Sequence, residues 1–164
     1  MQANGWTMKQ VQDRNPYWDL MILAEEPPAL LRYWQQGTLW SFAHRDSCRA
    51  VALMMDYVRD PQSIIELKLL AVGAKWRGQG LGRHFIQELA LRYSALGYVQ
   101  MVVGTANCSV GNLAFYQKAG MRMRWIEADY FVADHGYSEP IVENGIEGRD
   151  KVWFDMRLTP KGRD

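Results

Sequence analysis

The segment Arg77-Gly78-Gln79-Gly80-Leu81-Gly82 constrains this chain most, because a strand pattern precedes it and a helix pattern follows it. Residues 63–72 are rich in apolar and β-branched side chains, which is typical of a β-strand. Helical spacing over 80–96 predicts one buried stripe, formed by Leu81, Phe85, Leu89 and Leu96 with Ile86 and Tyr93 beside them. A helix begins with unpaired amides and a positive dipole end. The sequence therefore predicts a phosphate-bearing ligand at residues 77–83.

Two common phosphate-binding loops do not fit this segment. A P-loop needs Lys followed by Ser or Thr after its last glycine, but Gln79-Gly80 stand at those positions. A dinucleotide-binding turn has the pattern G-x-G-x-x-G directly after the strand, with an acid about 20 residues later. Here the pattern is G-x-G-x-G, it is separated from Val72, and the strand near 99–104 ends without an acid.

Two separate blocks instead resemble the GNAT acyltransferase superfamily. The first, Leu70-Ala71-Val72-x-x-x-x-Arg77-Gly78-x-Gly80-x-Gly82, resembles its acyl-coenzyme A binding segment. The second, from Asn107 to Met121, is similar to the later GNAT segment N-x-x-A-x-x-x-Y-x-K-x-G-[FM]. The specific motifs cover roughly residues 60–125, and the stretch from Gly104 onwards also resembles a subgroup of small bacterial members. Both blocks occur in the family's order, which makes a chance match improbable.

The resemblance implies one domain over residues 1–164 with an α/β (α+β) fold. The expected GNAT fold has a mixed central sheet of six to seven strands, helices on both faces, and central strands that splay apart to admit the pantetheine arm. The residue patterns agree with this expectation. They predict strands over 6–11, 38–43, 49–57, 64–72, 99–104, 121–133 and 151–158, and helices over 17–36 (two, broken at 27–28), 80–96 and 112–119.

The resemblance also implies that acetyl-CoA is the cosubstrate, and it assigns contacts with it. The candidate residues lie in the two motif blocks: Leu70, Ala71, Val72, Arg77, Gly78, Gln79, Gly80, Leu81, Gly82, Arg83, Asn107, Asn112 and Lys118. A backbone N–H near Leu70–Ala71, where GNAT strands bulge, is expected to stabilise the developing oxyanion. For Asn107 and Asn112, turn and N-cap roles are an alternative. Lys118 is equally consistent with a solvated side chain.

Two side chains are candidate catalytic groups. Glu66 interrupts an apolar strand at the position where many GNAT enzymes carry a general base, and alternation would put Glu66, Lys68, Leu70 and Val72 on one face. The alternative is a Glu66–Lys68 surface pair. Tyr116 occupies the place of the GNAT tyrosine near the coenzyme A sulfur, where it would donate a hydrogen bond to the departing sulfur. Its alternative is a core aromatic packed with Phe115.

The resemblance implies an N-acetyltransferase acting on a small-molecule amine, with direct attack in a ternary complex. Seven acids between 127 and 150 favour a small cationic acceptor, although a solvated loop would have the same composition. The alternatives are a non-catalytic acyl-CoA sensor and an acetyltransferase for a protein or peptide amine. With 19 basic and 18 acidic residues, the charge gives no support for nucleic-acid binding.

Cellular location, metal binding and assembly are predicted from apolar segments, from the positions of cysteine and histidine, and from the family resemblance. No signal peptide or membrane-spanning run is present, so we expect a cytoplasmic protein without membrane contact, with Cys48 and Cys108 reduced. Scattered histidines predict no metal site. The family resemblance allows a homodimer.

Overall fold

The computed structural model describes residues 5–159, which form a seven-stranded mixed sheet, a two-stranded hairpin and four short to medium helices. The strands are β1 (Trp6–Gln10), β2 (Thr38–His44), β3 (Ser47–Asp56), β4 (Ile64–Val72), β5 (Gln100–Ala106), β6 (Arg122–Glu127), β7 (Ile141–Glu143), β8 (Ile146–Gly148) and β9 (Lys151–Arg157). The helices are α1 (Trp18–Met21), α2 (Pro27–Leu30), α3 (Leu81–Ala95) and α4 (Val110–Lys118). The large sheet has the order β1-β2-β3-β4-β5-β9-β6.

The centre of the sheet is open between β4 and β5. These two strands run parallel and pair only through residues 64–66 and 100–102, whereas the other neighbouring strands pair antiparallel over longer stretches. Beyond Glu66 and Val102 the two strands diverge. The splayed central strands expected from the sequence are therefore confirmed, and the gap between them connects the two faces of the sheet.

A β-bulge in β4 decides which side chains reach each face. Leu53 pairs with Leu69 while the next residue, Met54, pairs with Leu67, so Lys68 is the extra residue. Before the bulge, Ile65 and Leu67 pack on the face covered by α3. After it, Leu69 and Ala71 pack on the opposite face with α1 and α2.

The prediction that Glu66, Lys68, Leu70 and Val72 share one face is therefore wrong. Leu70 and Val72 pack against the core under α3. Glu66 and Lys68 lie on the other side, where the Lys68 Nζ is 4.8 Å from the centroid of the Tyr33 ring. Simple alternation fails here because a bulge adds one residue to the strand and reverses the pattern beyond it.

Helices cover both faces of the sheet, as expected. The α3–α4 face contains Phe42, Phe85, Ile86, Leu89 and Phe154, each almost fully buried. The α1–α2 face is built around Met21, Leu30, Leu39, Val51 and Leu53. Each face therefore has its own core, and the functional residues at the gap are held between two packed layers.

Several element boundaries differ from the sequence prediction. Leu96 lies beyond the end of α3 and is 55% exposed, because the chain turns at Gly97, whose φ of +97° favours glycine. The α4 helix begins at Val110, two residues before its predicted start. The predicted strand over 121–133 ends at Glu127, and the polar segment after it contains the short β7–β8 hairpin, which the sequence analysis missed.

Within residues 5–159, no helix combines the length and apolar character required to cross a membrane.

Candidate active site

The turn at residues 77–82, here called the glycine turn, joins the end of β4 to α3. Gly78 and Gly80 have φ values of +72° and +78°, which side-chain-bearing residues rarely adopt. A Cβ atom at either position would meet no protein atom within 4 Å, so the space beside the backbone is open. The glycines therefore serve both the backbone conformation and the close approach of a ligand.

The first turn of α3 presents unpaired amides at this opening. Gly80 is the N-cap, no side chain caps the helix, and no acidic residue occupies its first turn. The first helical hydrogen bond runs from the His84 amide to the Gly80 carbonyl at 3.0 Å. The amides of residues 81–83 consequently have no acceptor within the helix, and the helix dipole adds positive charge there. This arrangement fits a phosphate or diphosphate group.

Side chains around the glycine turn divide into structural and exposed groups. Arg77 donates through Nε to the Val72 carbonyl at 3.0 Å, and Gln79 donates to the Lys75 carbonyl at 3.1 Å. Both bonds stabilise the turn. Arg83 and Lys118 are exposed, so they are accessible to an anion that binds the turn.

Gly82 allows α3 and α4 to approach closely. A Cβ atom there would lie 2.9 Å from the Phe115 ring and 3.6 Å from Val72. Since α4 carries Tyr116 and Asn112, this contact helps fix both residues relative to the glycine turn.

The two predicted asparagine ligands already have partners within the chain. Asn107 accepts from the amides of Arg149 and Asp150 at 2.9 and 3.0 Å, and it donates to the Glu147 carbonyl at 3.1 Å. Asn112 is the third residue of α4, so it is not the N-cap, and it donates to Thr105 at 3.2 Å. Their structural roles are observed, and their contacts with pantetheine stay predictions.

Tyr116 lies at the inner face of α4, within the core between the sheet and the helices α3 and α4. Its ring packs against Phe115 and Phe154, with centroid distances of 5.1 and 5.6 Å. Burial raises the pKa of its hydroxyl above the ordinary tyrosine value, so the group is a neutral donor at physiological pH. Among residues 5–159, no group accepts a hydrogen bond from this hydroxyl.

Glu66 lies on the opposite side of the gap from the glycine turn. It is 9% exposed, and its Oε1 is 3.8 Å from the Lys68 Nζ. Glu66 and Lys68 share the α1–α2 face by regular alternation, and the bulge at Lys68 places Leu70 and Val72 on the other face. The predicted Glu66–Lys68 pair exists, but it lies in a mostly buried environment and not on an open surface.

A cleft of about 230 Å³ lies on the same face and is here called the tyrosine cleft. Its lining comes from four separate parts of the chain: Ala29, Arg32, Tyr33, Met55, Lys68, Tyr130, His135 and Tyr137. The Glu25 carboxylate accepts from Tyr33 and Tyr137 hydroxyls at 3.0 and 2.9 Å, which joins the loop after β6 to the α1–α2 segment. Lys68 belongs to the cleft and also approaches Glu66, so the cleft opens next to that carboxylate.

Gly136 lets the loop after β6 close over α2. Its φ is +93°, and a Cβ there would lie 2.8 Å from the Ala29 backbone. The tyrosine cleft thus depends on a close backbone contact between residues far apart in sequence.

Lys151 is a further basic residue at this face, and the sequence analysis did not identify it. It is 6% exposed, and its Nζ lies 4.1 Å from the Tyr130 ring centroid and 4.4 Å from that of Trp153. Its alkyl chain crosses Gly104, where a Cβ would collide with it. Burial, followed by the nearby Lys68 charge, lowers its pKa to about 8.

Three tryptophans on neighbouring elements belong to the core and do not line the cleft. Trp18 and Trp34 pack edge to face in the α1–α2 core, and Trp40 donates to the Tyr93 hydroxyl under α3. Tyrosines line the cleft instead. The sequence signal for Tyr130 and Tyr137 is the aromatic content of residues 130–137, whereas Tyr33 lies in the predicted helical segment 17–36.

The two halves of the site meet at the gap. The glycine turn, α3 and Tyr116 lie with the α3–α4 core, whereas Glu66, Lys68 and the tyrosine cleft lie on the α1–α2 face. Beyond Glu66, β4 amides that point toward β5 have no strand partner in the described structure. The bulge that shapes this edge is at Lys68, two residues before the predicted Leu70 position. A ligand on each face could therefore reach the other through the gap.

Comparison with known proteins agrees with this geometry. The model of the GNAT acetyltransferase family matches residues 8–121, which is more than half of the chain. This chain belongs to the GNAT acetyltransferase family.

Related GNAT proteins extend the similarity to nearly the whole chain. An uncharacterised N-acetyltransferase of Bacillus subtilis strain 168, YvbK, is 29% identical over 142 residues, covering 86% of this chain and 88% of the relative. A Bacillus subtilis acetyltransferase in complex with CoA has a TM-score of 0.82 and 27% identity, covering 94% and 99% of the two chains. A GNAT acetyltransferase from Elizabethkingia anophelis with acetyl-CoA bound has a TM-score of 0.82 and 30% identity, covering 95% and 100%.

Proposed function

We propose that this protein transfers an acetyl group from acetyl-CoA to a primary amine by direct attack in a ternary complex. The observation that carries the proposal is the gap between β4 and β5, with an uncapped helix N-terminus on one face and Glu66 beside a cleft on the other. The family membership and the CoA-bound and acetyl-CoA-bound relatives support the same reaction.

Residues at the glycine turn would bind the coenzyme A moiety. The amides of residues 81–83, together with Gly78, Gln79 and Gly80, would hold the diphosphate, and Arg77 and Arg83 would add charge. Backbone groups of Leu70, Ala71 and Val72 would contact the pantetheine arm and the thioester oxygen. Asn107, Asn112 and Lys118 are the remaining candidate contacts, toward pantetheine and adenosine.

Glu66 would remove a proton from the acceptor. An alkyl amine whose ammonium form has a pKa of about 10.4 is mostly protonated at neutral pH. Because this pKa lies more than about three units above neutral pH, releasing the proton costs about 4–5 kcal/mol. A carboxylate within reach, directly or through water, lowers this barrier. The position of Glu66 next to the tyrosine cleft supports this role.

Tyr116 would donate a hydrogen bond to the departing sulfur. A thiol with a pKa of about 8.5 is a stronger acid than a phenol at about 10, so full proton transfer from the tyrosine is uphill. Burial raises the pKa of Tyr116 further, which favours hydrogen-bond donation over complete transfer.

The acceptor would be a small amine such as a polyamine, an amino sugar or an amino acid derivative. A cleft of about 230 Å³ is below the 300–1,000 Å³ typical of ligand pockets, which favours a small molecule over a peptide segment. The acid-rich segment 127–150 supports a cationic acceptor, because its negative charges would attract a cation electrostatically without direct contact. A cytoplasmic location and a homodimer remain further predictions.

The test is thiol release from acetyl-CoA in the presence of a panel of primary amines, combined with calorimetric binding of acetyl-CoA. We expect amine-dependent release and intersecting initial-velocity lines, because both substrates must be bound together. Binding without release across a broad panel would support the non-catalytic sensor. No detectable heat with millimolar acetyl-CoA would refute the proposed function altogether.

A further inference from the structure

The tyrosine cleft has a basic lining. Arg32, Lys68 and His135 contribute to it, and within residues 5–159 no acidic side chain does. Lys151 touches Tyr130, one of the lining residues, so a fourth basic group lies directly beside the cleft. A surface of this charge would concentrate anionic groups.

Three acids near the cleft are occupied by contacts within the protein. Glu25 accepts from both Tyr33 and Tyr137, and Glu127 accepts from the Trp153 indole at 3.0 Å. Asp129 is paired with Arg149 at 2.9 Å. Glu66 lies outside the lining but next to Lys68, which belongs to it, so its carboxylate is adjacent to a molecule bound in the cleft.

Lys151 adds a further positive charge beside the basic lining of the tyrosine cleft. In the described structure no carboxylate lies within 4 Å of its Nζ, whose neighbours are the rings of Tyr130 and Trp153. Aromatic faces offset only part of the free energy lost when an ammonium is buried. An anion bound in the cleft would interact favourably with both Lys68 and Lys151.

The pair formed by Glu66 and Lys68 has the charge pattern complementary to an α-amino acid. Their charged atoms lie 3.8 Å apart. In an α-amino acid the ammonium and carboxylate groups share one carbon atom, so they are separated by a similar short distance. Met55 and the rings of Tyr33, Tyr130 and Tyr137 supply an apolar and aromatic environment for a side chain.

We infer that the acceptor is an α-amino acid with an apolar or aromatic side chain, whose amine faces Glu66 while its carboxylate binds Lys68 and Arg32. This inference rests on the proposed acetyl transfer and identifies its substrate class. Glu66 takes one proton from the ammonium, the amine nitrogen forms a bond to the acetyl carbon, and the carbon–sulfur bond breaks. The second proton that the nitrogen loses passes to the departing thiolate, and Glu66 returns its own proton to solvent. The N-acetyl amino acid and free coenzyme A are the products.

The first experiment compares amines that differ only in the carboxylate. L-phenylalanine is tested against phenethylamine, and L-leucine against 3-methylbutylamine, with thiol release measured at saturating acetyl-CoA. We expect kcat/KM to be about 10- to 100-fold higher for each amino acid, because a hydrogen bond to a charged group contributes on this scale. Equal or higher kcat/KM for the amines without a carboxylate would overturn the inference while leaving acetyl transfer in place.

A substitution in the cleft tests whether the preference for acceptors with a carboxylate arises there. Arg32→Gln should reduce the phenylalanine to phenethylamine ratio of kcat/KM by about 10-fold, mainly through the KM for phenylalanine. The matched control is Arg59→Gln, since Arg59 is exposed in the turn between β3 and β4 and does not line the cleft. A ratio unchanged in Arg32→Gln, or lowered equally in Arg59→Gln, would argue against carboxylate binding at this site.

Binding of products separates the two proposals. With coenzyme A present, calorimetry should show N-acetyl-L-phenylalanine binding about 10-fold or more tightly than N-acetylphenethylamine. Equal binding, or binding of neither, would overturn the amino acid inference even if other amines are acetylated. Tighter binding of N-acetyl-L-phenylalanine without thiol release from any amine would instead overturn the transfer reaction and the acceptor role that depends on it.

Discussion

Glu66 is the residue on which the chemistry depends most, and its surroundings set its properties. The side chain is 9% exposed, next to Lys68 and within reach of the Lys151 charge. Little water reaches this carboxylate, and Lys68 is its nearest basic neighbour. A bound amine would therefore meet the Glu66 carboxylate with little competition from water molecules for its hydrogen bonds.

We expect Glu66→Gln to lower kcat by about 10²-fold or more at pH 7, because the amide keeps the shape but does not accept the ammonium proton. The loss should shrink as pH rises toward about 10, where the free amine becomes abundant. The measurement is kcat at saturating amine from pH 6 to 9. Glu139→Gln is the control, since Glu139 is exposed in the loop after β6. A pH-independent kcat equal to that of the unchanged protein would rule out a base at this position.

Tyr116→Phe tests the second residue separately. The ring packs against Phe115 and Phe154, and phenylalanine preserves these contacts while removing the hydroxyl. We expect kcat to fall about 10-fold, the scale of one lost hydrogen bond in the transition state, with an unchanged melting temperature. If turnover is unimpaired, Tyr116 is a core aromatic residue and nothing more.

At the scale of elements, the sequence predicted the parts that depend on local geometry. The glycine turn and α3 follow from a short motif and a helical stripe, and both appear close to their predicted positions. The bulge at Lys68 was not predicted, because it is visible only in the pairing of β4 with β3. The β7–β8 hairpin was also missed, since its strands have three residues each and provide too little periodicity.

The glycine turn can be tested with a matched pair of glycines at the two ends of α3. Gly80 and Gly97 both have positive φ and enough open space beside the Cα atom for a methyl group, but only Gly80 belongs to the turn. Alanine at either position should destabilise the protein by about 1–2 kcal/mol, which is a few degrees in melting temperature. We expect Gly80→Ala to weaken acetyl-CoA binding about 10-fold in calorimetry. Equal affinities in Gly80→Ala and Gly97→Ala would disprove a role for this turn in binding.

At the scale of the whole molecule, the tyrosine cleft exists because distant segments converge. The α1–α2 segment, β4 and the loop after β6 each supply part of its lining, and Glu25 links two of them through tyrosine hydroxyls. Motif spacing carries no information on such contacts, so it indicated only Lys68 among the residues that line the cleft. The acceptor side of the site is accordingly the part that only the folded chain reveals.

The burial of Lys151 at this convergence should be visible in the stability of the entire fold. Its pKa of about 8 is below the ordinary 10.5 because burial and the Lys68 charge disfavour the ammonium, although Glu66, Glu127 and Glu25 oppose the shift. Between these pH values the unfolded chain binds more protons than the folded one, so this group makes stability rise as pH increases from about 8 to 10.5. Over this pH range the group changes the free energy of unfolding by about 3 kcal/mol in total.

Lys151→Met keeps the unbranched apolar stem and removes the charge, so it isolates this effect. Below pH 8 the variant should be more stable by up to about 3 kcal/mol, because the folded protein no longer holds a buried ammonium. The advantage should decline steadily toward pH 10.5, where the lysine is neutral in the folded state. Urea unfolding of both proteins between pH 6.5 and 10.5 measures the difference at each pH. A constant difference across this range would mean that Lys151 titrates as it does in the unfolded chain. The cleft would then lack the desolvated cation that favours the carboxylate of the acceptor.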